Sequence, residues 1–139
     1  MSWNTNLLVL ANRTVDSETL LRELRERSIA GSIHVTLVAP AEGARAITAR
    51  RLDRAVDRLE SDGITVEGIV GHPDPIVAIE EVWDPRRFDE VIVATLPTDV
   101  SRWLALDLPR RVERFTGALV THVVATPAGA APRVPRTYA

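Results

Sequence analysis

The stretch Asp89-Glu90-Val91-Ile92-Val93-Ala94-Thr95-Leu96-Pro97 constrains the fold of this chain more than any other. A short β-branched run bounded by polar residues reads as a strand, 90–94, covered on both faces. Proline cannot extend a central strand, so 95–97 must be a turn. In a parallel sheet that turn lies at the carboxyl edge, where open α/β sheets bind ligands. A small-molecule function is therefore expected on Asn12, Arg13, Thr95, Leu96 and the segment after them. That segment lacks the residues such a site usually has.

The rest of the chain supplies the other strands. Residues 6–11 form a continuous apolar run that predicts a first strand buried on both faces. A turn through Asn12, Arg13, Thr14 and Val15 leads to a helix capped by Asp16 or Ser17, with Glu18 in its first turn. Leu20, Leu21 and Leu24 are its apolar stripe, and Gly31 ends the connection. Residues 32–39 read as the second strand, stopped by Pro40. A helix is expected over 42–62, with Leu52, Ala55, Val56 and Leu59 at helical spacing. Arg50, Arg51, Arg54 and Arg58 interleave there with Asp53, Asp57 and Glu60, which predicts a solvated face with i,i+4 pairing rather than a nucleic-acid patch.

A third strand is expected over 64–70. Asp74 is the expected N-cap of a helix with Pro75 at its first position and Ile76, Ile79, Val82 and Trp83 as its buried stripe. Phe88 is expected under the strand 90–94. After Pro97 the pattern loosens. A short helix over 99–105 would carry Trp103, and a second over 109–116 would follow Leu108, presenting Leu108, Val112 and Phe115. A last strand reads over 118–125. The residues 126–139, with Pro127, Pro132 and Pro135, carry no core-forming pattern and are expected to form a mobile tail. The domain is thus placed at 1–125. Helical connections between buried strands predict a parallel sheet with right-handed crossovers and an α/β fold.

This order of elements resembles the universal stress protein family. Leu8-Val9-Leu10-Ala11-Asn12-Arg13-Thr14 is similar to its opening strand and turn, Gly71-His72-Pro73 to its G-x-P turn, and Asp89-Glu90-Val91-Ile92-Val93 to its D-L-I-V-V strand. Ala118-Leu119-Val120-Thr121-His122-Val123-Val124 is similar to its closing strand. The resemblance implies a Rossmann-like, adenine-nucleotide-alpha-hydrolase-like sheet of order 3-2-1-4-5 with helices on both faces. It also implies a homodimer built through Leu119, Val120, Thr121, His122 and Val123.

The family's nucleotide-binding branch carries G-2x-G-9x-G-[S/T] after the fourth strand. Glycines let backbone approach phosphates there, and a helix N-terminus offers them free N–H groups. Laid without a gap, its positions fall on Ala94, Pro97, Asp107 and Leu108, and all four depart from it. The aspartate after the family's first strand aligns with Asn12. Asp107 would set a carboxylate against phosphate, and Pro97 and Pro109 each remove a donor. ATP bound in the family manner, or any other cofactor, is therefore not expected. Arg13, Arg102 and Arg110 are the residues that would replace the missing donors for a nucleotide or other small anion.

No catalytic set emerges. His34, His72 and His122 have no metal-ligand spacing, and no serine sits in a G-x-S-x-G elbow. The chain has no cysteine, which excludes disulfides and thiolate metal sites. A net charge of −2 gives no general attraction to nucleic acid or to an anionic membrane. With no signal peptide and no long apolar run, the expected location is the cytoplasm. All 17 basic residues are arginine, as the base composition of a GC-rich bacterial genome would produce. The leading expectation is a non-catalytic, stress-related dimeric interaction module, with a possible protein partner. The exposed apolar edge Ala118-Leu119-Val120-Thr121 would need a cover in any case. The alternative is an anionic ligand at the carboxyl edge. The loop 95–109 separates the two: open and arginine-lined favours the ligand, folded down and packed by Trp103 favours the module.

Overall fold

The structure, a computed structural model, describes residues 4–97, 103 and 106–125. The expected tail, Arg102 and most of the expected helix over 99–105 lie outside them. The elements run β1 (Thr5–Ala11), α1 (Glu18–Ala30), β2 (Ile33–Pro40), α2 (Arg45–Ser61), β3 (Thr65–Gly71), α3 (Pro75–Val82), β4 (Glu90–Thr95), α4 (Leu108–Thr116) and β5 (Leu119–Val124). The five strands form one sheet of order β3-β2-β1-β4-β5, and every neighbouring pair is parallel. This is the α/β sheet the chain pattern predicts.

Two apolar layers flank the sheet. Leu7, Val9, Ile92 and Ala94 face α1 and α2, where they meet Leu20, Leu24, Leu52, Ala55 and Leu59. Leu8, Leu10, Val91 and Val93 face the other way, onto Ala78, Ile79, Phe88, Leu108 and Val112. The alternation follows from the period of two along each strand. β1 and β4 lie between neighbours and are apolar on both faces, which is why their sequences read as continuous apolar runs.

Local chemistry sets the helix ends. Ser17 caps α1 by accepting from the Leu20 N–H at 3.2 Å, and Asp74 caps α3 by accepting from the Ile76 N–H at 2.9 Å. Gly117 closes α4 at φ 67°, donating to Glu113 O. Only glycine enters that left-handed region without steric cost. Gly71 answers a different need. A Cβ there would lie 2.9 Å from Ala78 Cβ, so its absence lets α3 settle on the end of β3.

Several expectations are corrected. α2 begins at Arg45, not at 42, and Glu42 stays in the loop. In α3 the fully buried pair is Ala78 and Ile79, while Ile76, Val82 and Trp83 are half-buried. Phe115 is exposed, because α4 turns only Leu108 and Val112 into the core. The charged face of α2 pairs across helices: Arg58 meets Glu18 of α1 and Arg54 lies 3.6 Å from Asp16. Both guanidiniums remain exposed, so the pairs are screened by solvent and salt.

Candidate functional site

The carboxyl ends of β1 and β4 are adjacent, and the sheet order reverses there, so the switch-point crevice lies between the turns that follow them. Thr14 draws the first turn inward by donating to Ala94 O at 3.2 Å. Asn12 sits on the rim and donates its amide N–H to Glu42 Oε2 at 2.6 Å. The other oxygen of that carboxylate accepts from the Trp103 indole N–H at 3.3 Å. Trp103 itself is 7% exposed and packs in the layer with Phe88, Leu108 and Val112. One carboxylate thus ties the β1 turn, the β2–α2 loop and Trp103 together across the carboxyl edge.

The remaining expected site residues are not gathered into one anion pocket. Arg13 is exposed. Arg110 is exposed, and among the described residues its anionic partner is Asp107, at 4.0 Å. Arg102 lies outside the described residues. Thr95 is buried and donates to Leu96 O at 3.0 Å, so its hydroxyl serves the turn. Its oxygen also lies 2.7 Å from His122 Nε2 of β5. Since the hydroxyl proton goes to Leu96, the imidazole N–H is the donor in that contact. Although the residue is exposed overall, desolvation of its ring against the neighbouring chain lowers the His122 pKa below its ordinary value, favouring the neutral ring.

Three of the four signature positions can be placed in this geometry. Ala94 lies inside β4 and Leu108 is fully buried, so neither faces a ligand. Asp107 takes φ 54° and ψ 41°, the left-handed conformation that glycine adopts freely, and its side chain makes no capping hydrogen bond. The backbone adopts a conformation suited to glycine, while the side chain is a carboxylate.

The opposite end of the sheet holds a second cluster that the sequence reading missed. Glu90, 8% exposed, accepts from Arg27 Nη1 at 2.7 Å and from Thr121 Oγ1 at 2.7 Å. Arg27 also pairs with Glu23 at 3.1 Å. Burial works against the Arg27 charge, but its hydrogen bonds to Glu90 and Glu23 outweigh it, and its pKa is raised. A cleft of about 210 Å³ opens beside it, lined by Thr5, Leu7, Arg27, Ala30, Gly31 and Ile33. Its one cation is already committed to two carboxylates. Polar residues at both ends of β4 gave a usable signal: in a parallel sheet, Glu90 must lie level with the start of β5, beside Leu119.

β5 is the sheet edge, paired with β4 alone among the described strands. Leu119 is 67% exposed and Val124 47%, His122 is exposed, and Val120, Thr121 and Val123 are half-buried. Among the described residues no three His, Cys, Asp or Glu side chains group as a metal site, and no helix is long and apolar enough to cross a membrane.

No family model and no curated protein matches the chain. Solved structures do. A universal stress protein crystallised in complex with cAMP aligns at a TM-score of 0.61 and 19% identity, covering 91% of this chain and 100% of that one. The protein Rv1636 from Mycobacterium tuberculosis H37Rv aligns at 0.50 and 21% identity, covering 88% of this chain and 96% of that one. At these identities the fold is what is shared. The sheet order, the crossovers and these alignments together give the chain the fold of the universal stress proteins.

Proposed function

We propose that this chain is a divergent universal-stress-protein-like domain, non-catalytic and cytoplasmic, that works as a homodimeric interaction module and does not hold ATP in the family manner. The observation that carries this reading is the Glu42 carboxylate drawn across the carboxyl edge between Asn12 and Trp103. It adds negative charge where phosphates would arrive and fills the crevice with the chain's own side chains. Trp103 packed down is the arrangement expected of a module rather than of an open anion site. The free β5 edge, with Leu119 and Val124 exposed, supports a second copy as the cover. Sedimentation equilibrium at micromolar concentration is expected to give a dimer. Leu119→Lys, which sets a charge on that edge, is expected to give a folded monomer by circular dichroism. A wild-type monomer would contradict the dimer.

One finding favours a second reading: a protein of this fold was crystallised with cAMP. In that case Arg13 and Arg110 would hold the phosphate at the carboxyl edge. Calorimetric titration with cAMP and with ATP separates the readings. No heat is expected from either; binding that Arg110→Ala weakens would establish the second.

A further inference from the structure

The free edge of β5 and the contact between His122 and Thr95 together carry one inference, which rests on the dimer reading above. When two parallel-sheet edges join antiparallel about a two-fold axis, that axis stands perpendicular to the sheet and maps each face onto itself. Some residue of the strand must then lie opposite its own copy. Over the short strand Leu119–Val124 the two most central choices are Thr121 and His122. Centring on His122 sets the two imidazoles directly opposite, at roughly 5 Å between Cβ atoms. Centring on Thr121 pairs His122 with the copy of Val120 and leaves the imidazoles diagonal, at roughly 7–8 Å. Either register puts both rings on one face at the heart of the interface.

The face is that of α4. Val120 packs there with Val91, Val93 and Val112, and His122 shares it by the period of two. The described charged groups of α4, the helix that packs on β5 from this side, and of its N-cap are Asp107, Arg110, Arg111, Glu113 and Arg114, all exposed; Glu80 and Glu81 lie on α3 farther along the same layer. The one ion pair those residues make among the described residues is Arg110 with Asp107. On the other face, Arg27, Glu23 and Glu90 surround Thr121, not His122. From β4, the nearest polar group is the neutral Thr95 hydroxyl. Among the described residues the one side-chain hydrogen bond the imidazole makes is to that neutral hydroxyl.

We infer that the β5-to-β5 dimer of this chain is a pH-sensitive assembly that loosens when the two His122 rings become charged beside one another. At neutral pH both rings are neutral, each donating from Nε2 to Thr95. Acidification adds a proton at Nδ1 of each and turns a compatible pair into a like-charged one. Desolvation of the ring favours its neutral form, so the effect begins only below the ordinary imidazole value.

Sedimentation equilibrium of the full chain at about pH 8 and about pH 5.5 tests this, these values bracketing the ordinary imidazole pKa. The dissociation constant is expected to rise roughly tenfold or more on acidification, the scale of a like-charge contact at partial burial. His122→Gln keeps an N–H at the reach of Nε2 but cannot charge, and its dissociation constant is expected to stay flat. His72→Gln, altering an exposed turn, is expected to behave as wild type. A dimer whose affinity does not change with pH, or falls equally in His122→Gln, overturns the switch and leaves the dimer standing. A monomer at both pH values overturns the dimer and the switch with it.

Discussion

Each end of this sheet carries a carboxylate that bridges two elements, and the two are held differently. At the amino end Glu90 is buried and meets a guanidinium and a hydroxyl. At the carboxyl end Glu42 is exposed and meets two neutral donors, an amide and an indole. The difference follows from solvation. A buried carboxylate needs a counter-charge, because water no longer stabilises it. An exposed one keeps its water and can be held by neutral groups that release it at small cost. The amino end is therefore a brace linking α1, β4 and β5 through a charge pair, and the carboxyl end a weaker, solvent-exposed tie between the β1 turn, the β2–α2 loop and Trp103.

The largest expected effect lies at the brace. Arg27→Ala strands Glu90 and should cost about 2–3 kcal/mol, the range for breaking a largely buried charged hydrogen bond. Urea denaturation measures it, and a loss below that of an ordinary surface substitution would erase the contrast between the two ends. At the carboxyl end Glu42→Ala should cost no more than about 1 kcal/mol. Its signature is spectroscopic. With Trp3 and Trp83 replaced by Phe, Trp103 emission should move to the red as the indole loses its acceptor; unchanged emission would mean that packing alone holds Trp103. The smallest effect concerns Glu18, whose pKa is lowered by hydrogen bonds first from Arg58 and then from Arg25. A carboxylate with a lowered folded value contributes stability above its unfolded value, near 4.5, and loses it as the pH falls through the folded value. Glu18→Gln should flatten the acid limb of stability slightly, and added salt should shrink the difference, because the group is exposed.

The same contrast explains what could be read in the sequence. Strand burial is written in composition: residues 7–11 and 91–94 are apolar without a break, and the parallel sheet follows from them. Asp74-Pro75 and Gly117 announce their helix ends through local chemistry that needs no partner. Contacts between distant segments are another matter. Glu42 looks like the first turn of α2 by spacing, yet the chain turns through Gly43 at φ 75° before the helix begins, and Glu42 instead meets Asn12 and Trp103, far away in sequence. Phe115 fits the helical stripe of α4 but falls on the outer side, since α4 lies over the sheet edge, where less apolar surface is available to cover it. Thr95 and His122 were each singled out, one for the crevice and one for the edge. Their contact follows from the β4–β5 register, which pattern alone does not give.

The central claim is a dimer joined at β5 whose carboxyl-edge crevice is closed by its own side chains. Native mass spectrometry of the purified protein reads both parts in one spectrum. The predicted result is twice the chain mass of 15.3 kDa with no added ligand. A monomer would contradict the assembly, and a dimer carrying a nucleotide-sized adduct would contradict the closed crevice and move attention to Arg13 and Arg110.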